Sequence, residues 1–430
     1  MQDPKEPPGK ILLELLFHCR FREASDPRDK IYSLLGLAAS MSSNPTVACQ
    51  PLDIKPNYSS PVGDVYVHVA RQIIIEINTL DVLGGCGGSK LTSASGRAPD
   101  LPSWVSDWST AQTVSPMLFD ALGKQRATHA TSHSKALPQF IDTGSTTLLL
   151  HAHEVATLIA FAQPLMHPIV HGEEIMDSSG KKMDKLYLTL ENDSLRDRLK
   201  HIGGILVIAW KGVAELIKKI MGIVPLLATF SDWEAFATAA PSTNPCQSES
   251  RPDPSSSNPI DPLDIPTQDD EPEDKLGTYW QTLCTGTYDD TAAAASEKSR
   301  KIATQELFYK WRASLKPIHD LHRWKPEGML QSAGLLGYIV KSYHEFGDFA
   351  RFLESSYGRR LGRAANGYLC LVPEATEVGD RVILARGGRV PLVVRDGGNG
   401  YRRLVGEAYV HGIMDGQAWE EGMCKEFKIR

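Results

Sequence analysis

The chain has 430 residues, 42% of them hydrophobic and 23% charged, with a formal net charge of −6 and a pI near 6.1. That length allows two or three domains, and the acidic balance argues against a nucleic-acid surface. Seven scattered cysteines, with no C-x-x-C pair and no Cys/His ligand spacing, point to a reduced intracellular protein without a metal centre.

The first ten residues are polar and proline-rich and carry no signal-peptide pattern. Residues 1–110 read as a helical region, with helices at Ile11–Phe21, Pro27–Leu37 and Val62–Ile77. The second has its own start signal. Asp26 suits the N-cap, Pro27 the first helical position, and Asp29 the positive end of the helix dipole. Ile31, Leu34, Leu35 and Ala38 form its apolar stripe, and Gly36 falls near its predicted end. Val62, Val65, Val69, Ile73 and Ile77 track one face of the third helix. The glycine-rich Gly84–Gly88 loop lacks the spacing of a phosphate-binding loop and reads as a flexible turn. Trp104 and Trp108 lie four apart, which puts both rings on one helical face as core anchors.

Residues 111–240 read as a mixed α/β middle region. Asp142-Thr143-Gly144-Ser145, between apolar runs, has the wording of an aspartic-peptidase loop. That chemistry needs two carboxylates sharing a proton, and no second D-[TS]-G follows, because Asp177-Ser-Ser-Gly180 has an extra residue. An ordinary turn is the preferred reading. Thr146–Phe161 reads as a strand pair or one long strand, on which His151 and His153 share a face. Without a third ligand at motif spacing, that face is read as exposed and polar. Ile202–Phe230 is broken by Lys211, Glu215, Lys218 and Lys219, too often for a spanning helix of roughly 20 apolar residues. It reads as an amphipathic helix on a core, with a membrane-surface or partner-binding helix as the alternative.

Residues 241–275 are dominated by Pro, Ser, Asp and Glu and are expected to form a disordered acidic insertion. Helices resume across 276–358, at Gly277–Leu283, Ala292–Ser314 and His344–Tyr357, with His319 and His322 read as solvent-facing. From 359 to 416 the period changes to short β-rich runs at Tyr368–Val372, Arg381–Ala385, Pro391–Val394 and Arg402–Val410. Glycine pairs punctuate them, including a predicted hairpin turn at Gly387-Gly388. Residues 417–430 are left as a tail. The expected class is α+β: mainly helical N-terminal and middle regions, and a small antiparallel, barrel-like β module at the C-terminal end.

Four stretches then go together. Ala24-Ser-Asp-Pro-Arg-Asp-Lys-Ile-Tyr-Ser-Leu-Leu-Gly-Leu37 closely resembles the segment that closes the conserved region of fungal heterokaryon-incompatibility (HET) domain proteins. Ile54-Lys-Pro-Asn-Tyr-Ser59 and Leu101-Pro-Ser-Trp-Val-Ser-Asp-Trp108 resemble that family's next two elements. Gly379-Asp380, Gly387–Leu392 and Val405–Gly416 resemble its terminal module. The resemblance singles out Asp26, Pro27, Arg28, Asp29, Tyr32, Gly36, Tyr58, Trp104, Asp107, Trp108, Gly379, Asp380, Gly406, Glu407, Tyr409, His411 and Gly412 as signature positions with structural roles.

The family's defining region also has an upstream strand-rich stretch with a Y-x-x-L-S-Y-x-W-G motif. Only about two dozen residues precede the D-P-R-D helix here, so the chain resembles the downstream part of a HET protein. HET domains are similar to TIR domains, some of which cleave NAD, but such a pocket would be built mostly from the upstream part. No catalytic, cofactor-binding or metal residue is carried over. The resemblance implies an intracellular, non-enzymatic recognition protein in heterokaryon incompatibility, that is, non-self recognition and programmed cell death, with an unknown protein partner. Its alternative is the downstream portion of a TIR-like NAD-cleaving enzyme.

Overall fold

The computed structural model describes residues 6–42, 52–87, 101–110, 114, 116–118, 128–136, 139–140, 146–165, 226–239, 275–288, 296–321 and 347–430. The D-T-G-S loop, Asp177–Gly180, residues 202–225, the acidic insertion up to residue 274 and His322 lie outside the described residues, as do the side chains of His319 and Asp320.

After a two-residue strand β1 (Gln139–Phe140), which pairs with its start, one long strand organises the molecule: β2, Leu148–Leu165. At 18 residues it exceeds the usual strand length of about 3–10 and changes partner along its course. The other strands are β3 (Arg359–Ala364), β4 (Leu369–Pro373), β5 (Arg381–Ala385), β6 (Leu392–Gly398), β7 (Tyr401–Glu407), β8 (Tyr409–Val410) and β9 (Lys425–Ile429). Leu148–Ala152 of β2 pairs with β9, Ala152–Thr157 with β5, and Leu158–Leu165 with β3. Register shifts near Glu154, Leu158 and Phe161 bend it from one sheet into the next. Because β5, β6 and β7 run on as antiparallel neighbours and β7 lies parallel to β9, strands β2–β5–β6–β7–β9 close into a ring. β3, β4 and β8 extend from the far end of β2 as a second sheet.

Ala156, Leu158, Val372, Val382, Leu384, Val393, Val405 and Val410 fill the space between the sheets. The alternate side chains are covered too. Helices α1 (Pro8–His18), α2 (Asp29–Ser42) and α3 (Val62–Ile77) pack with Trp104 and Trp108 on Leu150, Ile383, Leu392, Leu404 and Phe427. On the second sheet, α4 (226–238), α5 (Lys275–Leu283) and α6 (Glu297–Leu321) set Trp233, Trp280, Phe308 and Trp311 against Leu361, Leu369, Leu371 and Tyr409. The barrel interior on one face and helices on the other explain why the strands read as unbroken apolar runs such as Val382-Ile-Leu-Ala385. The architecture is the expected α+β arrangement of helices around an antiparallel, barrel-like module, with one parallel pair.

Several local expectations differ. Pro27 and Arg28 form a turn, and α2 begins at Asp29 and runs to Ser42, so Gly36 is an interior residue with open space beside it. Trp104 and Trp108 lie in consecutive turns rather than on a helix, held there by the Trp104 indole bond to Thr146 and the Arg20 bond to the Asp107 carbonyl. The Gly84–Gly88 segment is no flexible turn as far as Gly87. Asp81–Gly85 form a buried 3-10 helix in which a Cβ on Gly84 would lie 2.5 Å from Glu407 Oε1. Residues 417–430 include β9, whose Phe427 and Ile429 are core. Thr146–Phe161 is one strand, longer than read, and Ala292–Ser314 becomes a helix from Glu297 to Leu321.

Candidate functional site

Two of the signature stretches meet at the surface. Arg28 forks onto Asp26, Nε to Oδ1 at 2.9 Å and Nη2 to Oδ2 at 2.8 Å, while its backbone N–H donates to the same Oδ1 at 2.9 Å. The remaining Nη1 donates to the carbonyls of Tyr58 and of Ser60, the latter at 2.9 Å. The guanidinium also lies 5.4 Å from the centre of the Tyr58 ring. Tyr58 donates its hydroxyl to Asp29, and Tyr32 both accepts from the Asn57 N–H and donates to the Asn57 carbonyl. Below them Tyr66 donates to the Pro27 carbonyl at 2.7 Å. The hydrogen bonds from Arg28 hold the Asp26 carboxyl below its ordinary range, and the bond to Asp29 raises the Tyr58 phenol. Tyr58 remains 53% exposed, so the cluster presents an aromatic ring framed by acids and a base.

The third stretch is buried. Trp104 donates its indole N–H to the Thr146 carbonyl at 2.8 Å, anchoring the segment to the start of β2. Ser103 accepts from the Leu404 N–H at 2.9 Å and donates to the Arg430 carbonyl. Asp107 accepts from the backbone and hydroxyl of Ser109 and serves as a turn residue. Arg20, buried at the end of α1, donates to the carbonyls of Gly85, Asp107 and Thr110 and lies over Trp108. One guanidinium thus joins three segments that the sequence keeps apart.

The terminal signatures are clips within the barrel. Asp380 is 3% exposed and takes a fork from Arg395, with both N–O distances 2.8 Å. Arg395 also bonds Glu377 and the Ala375 carbonyl, which pins the turn before β5 against β6. Leu158 exchanges backbone bonds with Gly379 and Asp380, where Gly379 has a φ of +94°. Buried Glu407 accepts from the Met117 N–H at 2.8 Å, and its carbonyl accepts from Arg359 at 2.6 Å. A Cβ on Gly406 would lie 2.9 Å from the Pro373 ring, so this strand position tolerates no side chain. His411 has Nδ1 3.4 Å from the Tyr409 hydroxyl, and its N–H donates to the Leu369 carbonyl; Gly412, with a φ of +86°, follows it.

These signature residues therefore gather in three places rather than one cleft. His151 and His153 are half-buried on β2, opposite Glu426 and Leu384, and among the described residues no group of three or more His, Cys, Asp or Glu is arranged to hold a metal. Burial pushes the Cys370 thiol up to about 12, which leaves it unreactive. Among the described residues no helix is long and apolar enough to cross a membrane.

Sequence reasoning missed Arg20, Arg359, Arg395 and the buried pair of Asp81 with Arg389, 3.5 Å apart. Arg20 meets partners 65 to 90 positions away. Nothing in a local pattern marks such a residue.

A helix-flanked β-barrel whose signature residues act as clips and one surface cluster is the class that the geometry defines. Residues 334–429 match the family model of the Het-6 beta-barrel domain. Over 449 aligned positions the chain is 25% identical to "Heterokaryon incompatibility protein 6, OR allele" of Neurospora crassa. That alignment covers 99% of this chain and 54% of that protein, so the chain spans about half the length of the curated relative it matches. No solved structure matches the chain. The similarities associate the chain with the heterokaryon-incompatibility proteins at the level of a family.

Proposed function

We propose that the protein is an intracellular, non-enzymatic recognition component of fungal heterokaryon incompatibility, contributing to non-self recognition and the cell death that follows. Its barrel and two helical layers form the scaffold, and the surface around Asp26, Arg28, Asp29 and Tyr58 makes contact with a protein partner. What supports this reading is how the signature residues are used. Asp107, Asp380, Glu407 and Arg28 all bind groups of their own chain, and only the first cluster turns an aromatic ring outward. An exposed tyrosine beside an arginine has the composition of an interface anchor.

Induced expression in a filamentous fungal host, scored for growth arrest, tests the proposal. Growth arrest by the unmodified chain and its loss with Arg28→Ala is the expected outcome. Turnover of NAD by the purified protein would overturn the non-enzymatic reading and favour a TIR-like hydrolase.

A further inference from the structure

We propose that the cleft beside the β6–β7 hairpin binds a phosphate-bearing ligand through Arg402, Arg403 and Arg430. The cleft, of about 310 Å3, is lined by Gly397, Gly398, Asn399, Tyr401 and these three arginines. That volume is at the small end for ligand sites and suits one or two phosphate groups.

The charges there run against those of the whole molecule, which carries a net −6. Among the described residues only Asp396 forms an ion pair with these arginines, meeting Arg402 at 2.7 Å. The Asp396 side chain is 66% exposed, so the pair is weak and readily exchanged for a ligand oxygen. Arg403 and Arg430 have no carboxylate partner among the described residues. Guanidinium groups present paired N–H donors that match phosphate oxygens. Arg403, whose side chain lies beside Gly397, and Arg430, whose guanidinium lies 5.9 Å from the centre of the Tyr401 ring, both line this cleft.

The frame is rigid where the charges sit. The Arg430 N–H donates to the Arg402 carbonyl at 3.0 Å, and the Arg430 main-chain oxygen accepts from Ser103, so the backbones that carry two of the arginines are tied together. The connecting turn is open by contrast. Gly398 and Gly400 have φ values of +78° and +79°, and a Cβ on either would meet nothing within 4 Å. Space beside that backbone leaves room for an anion to approach the arginines.

Titration calorimetry of the full chain with pyrophosphate at low salt tests the site, comparing the parent, Arg403→Glu and the remote surface variant Lys298→Glu. The expected result is binding by the parent and by Lys298→Glu, weakened at least about tenfold in Arg403→Glu at an unchanged Tm. If Arg403→Glu does not fold, Arg403→Gln takes its place, with weakened binding again expected. Absence of binding by the parent, equal binding by a folded Arg403 variant, or equal loss in Lys298→Glu would each overturn the proposal. Sedimentation with phosphatidylcholine vesicles containing phosphatidylinositol 4-phosphate then identifies the source. Co-sedimentation reversed by pyrophosphate marks a lipid headgroup, and protein left in the supernatant marks a soluble phosphate compound.

Discussion

The Asp26–Arg28 and Asp380–Arg395 pairs have nearly the same fork geometry and opposite settings. In the first, N–O distances are 2.9 and 2.8 Å; in the second, both are 2.8 Å. The Asp26 side chain is 29% exposed and bonds a residue two positions away, whereas Asp380 is buried and its partner lies across a strand pair. A fork that water can replace shapes a surface. One closed off from water locks tertiary structure, because removing a partner leaves a desolvated charge. The same residue types therefore shape an exposed surface in one place and lock tertiary structure in the other.

The largest expected effect lies between the two, in the core that the N-terminal helices share with the barrel. Trp104→Ala should cost about 3–5 kcal/mol, since a fully buried indole is lost together with its bond to Thr146. Urea titration reads this directly, and a loss below 1 kcal/mol, roughly that of an ordinary surface change, would show that the tryptophan pair does not hold the N-terminal helices to the barrel. Asp380→Ala comes next, at about 3 kcal/mol, because Arg395 would keep only the exposed Glu377 and the Ala375 carbonyl. A near-neutral outcome would erase the distinction between the two forks.

A smaller and pH-dependent effect belongs to Asp81. Burial raises its carboxyl above the ordinary value, and Arg389 only partly opposes the shift. A raised native pKa means that the native state binds the proton more tightly than the unfolded chain. The stability it contributes is complete below the unfolded value, near pH 4, and is lost as the pH rises through the native one. Asp81→Asn removes that loss. Its urea midpoint should therefore gain on that of the parent between pH 4 and pH 7, and a gain in the opposite direction would place the Arg389 attraction above the desolvation cost.

How much of this was legible depends on how local the cause is. The β-rich end was readable from its glycine punctuation: β5 falls at Arg381–Ala385 as expected, and the Gly387 turn joins it to β6. The two clusters that matter most were marked only as family wording, because Arg28 and Tyr58 are 30 positions apart and meet through tertiary structure. β9 escaped for a similar reason. Lys425-Glu-Phe-Lys-Ile429 alternates weakly between charge and apolar residue and becomes a strand because β2 and β7 lie on either side. The tryptophan spacing suggested a helix, but the Trp104 indole bond to Thr146 and the Arg20 bond to the Asp107 carbonyl hold the segment in turns.

The smallest effect on stability belongs to the exposed ring of the surface cluster. Tyr58→Phe removes one hydroxyl from an exposed ring, whose bond to Asp29 is shared with solvent. The ring itself, its edge contact with Tyr32 and the Arg28 guanidinium over it all remain. No measurable change in Tm is expected. If the cluster is a contact surface, the hydroxyl and the acids around it supply its directional bonds, so growth arrest on induced expression should weaken in Tyr58→Phe and vanish in Arg28→Ala. Full activity of both variants, with a lowered Tm in Arg28→Ala, would assign the whole cluster to folding, and the surface fork would then differ from the buried one in strength alone.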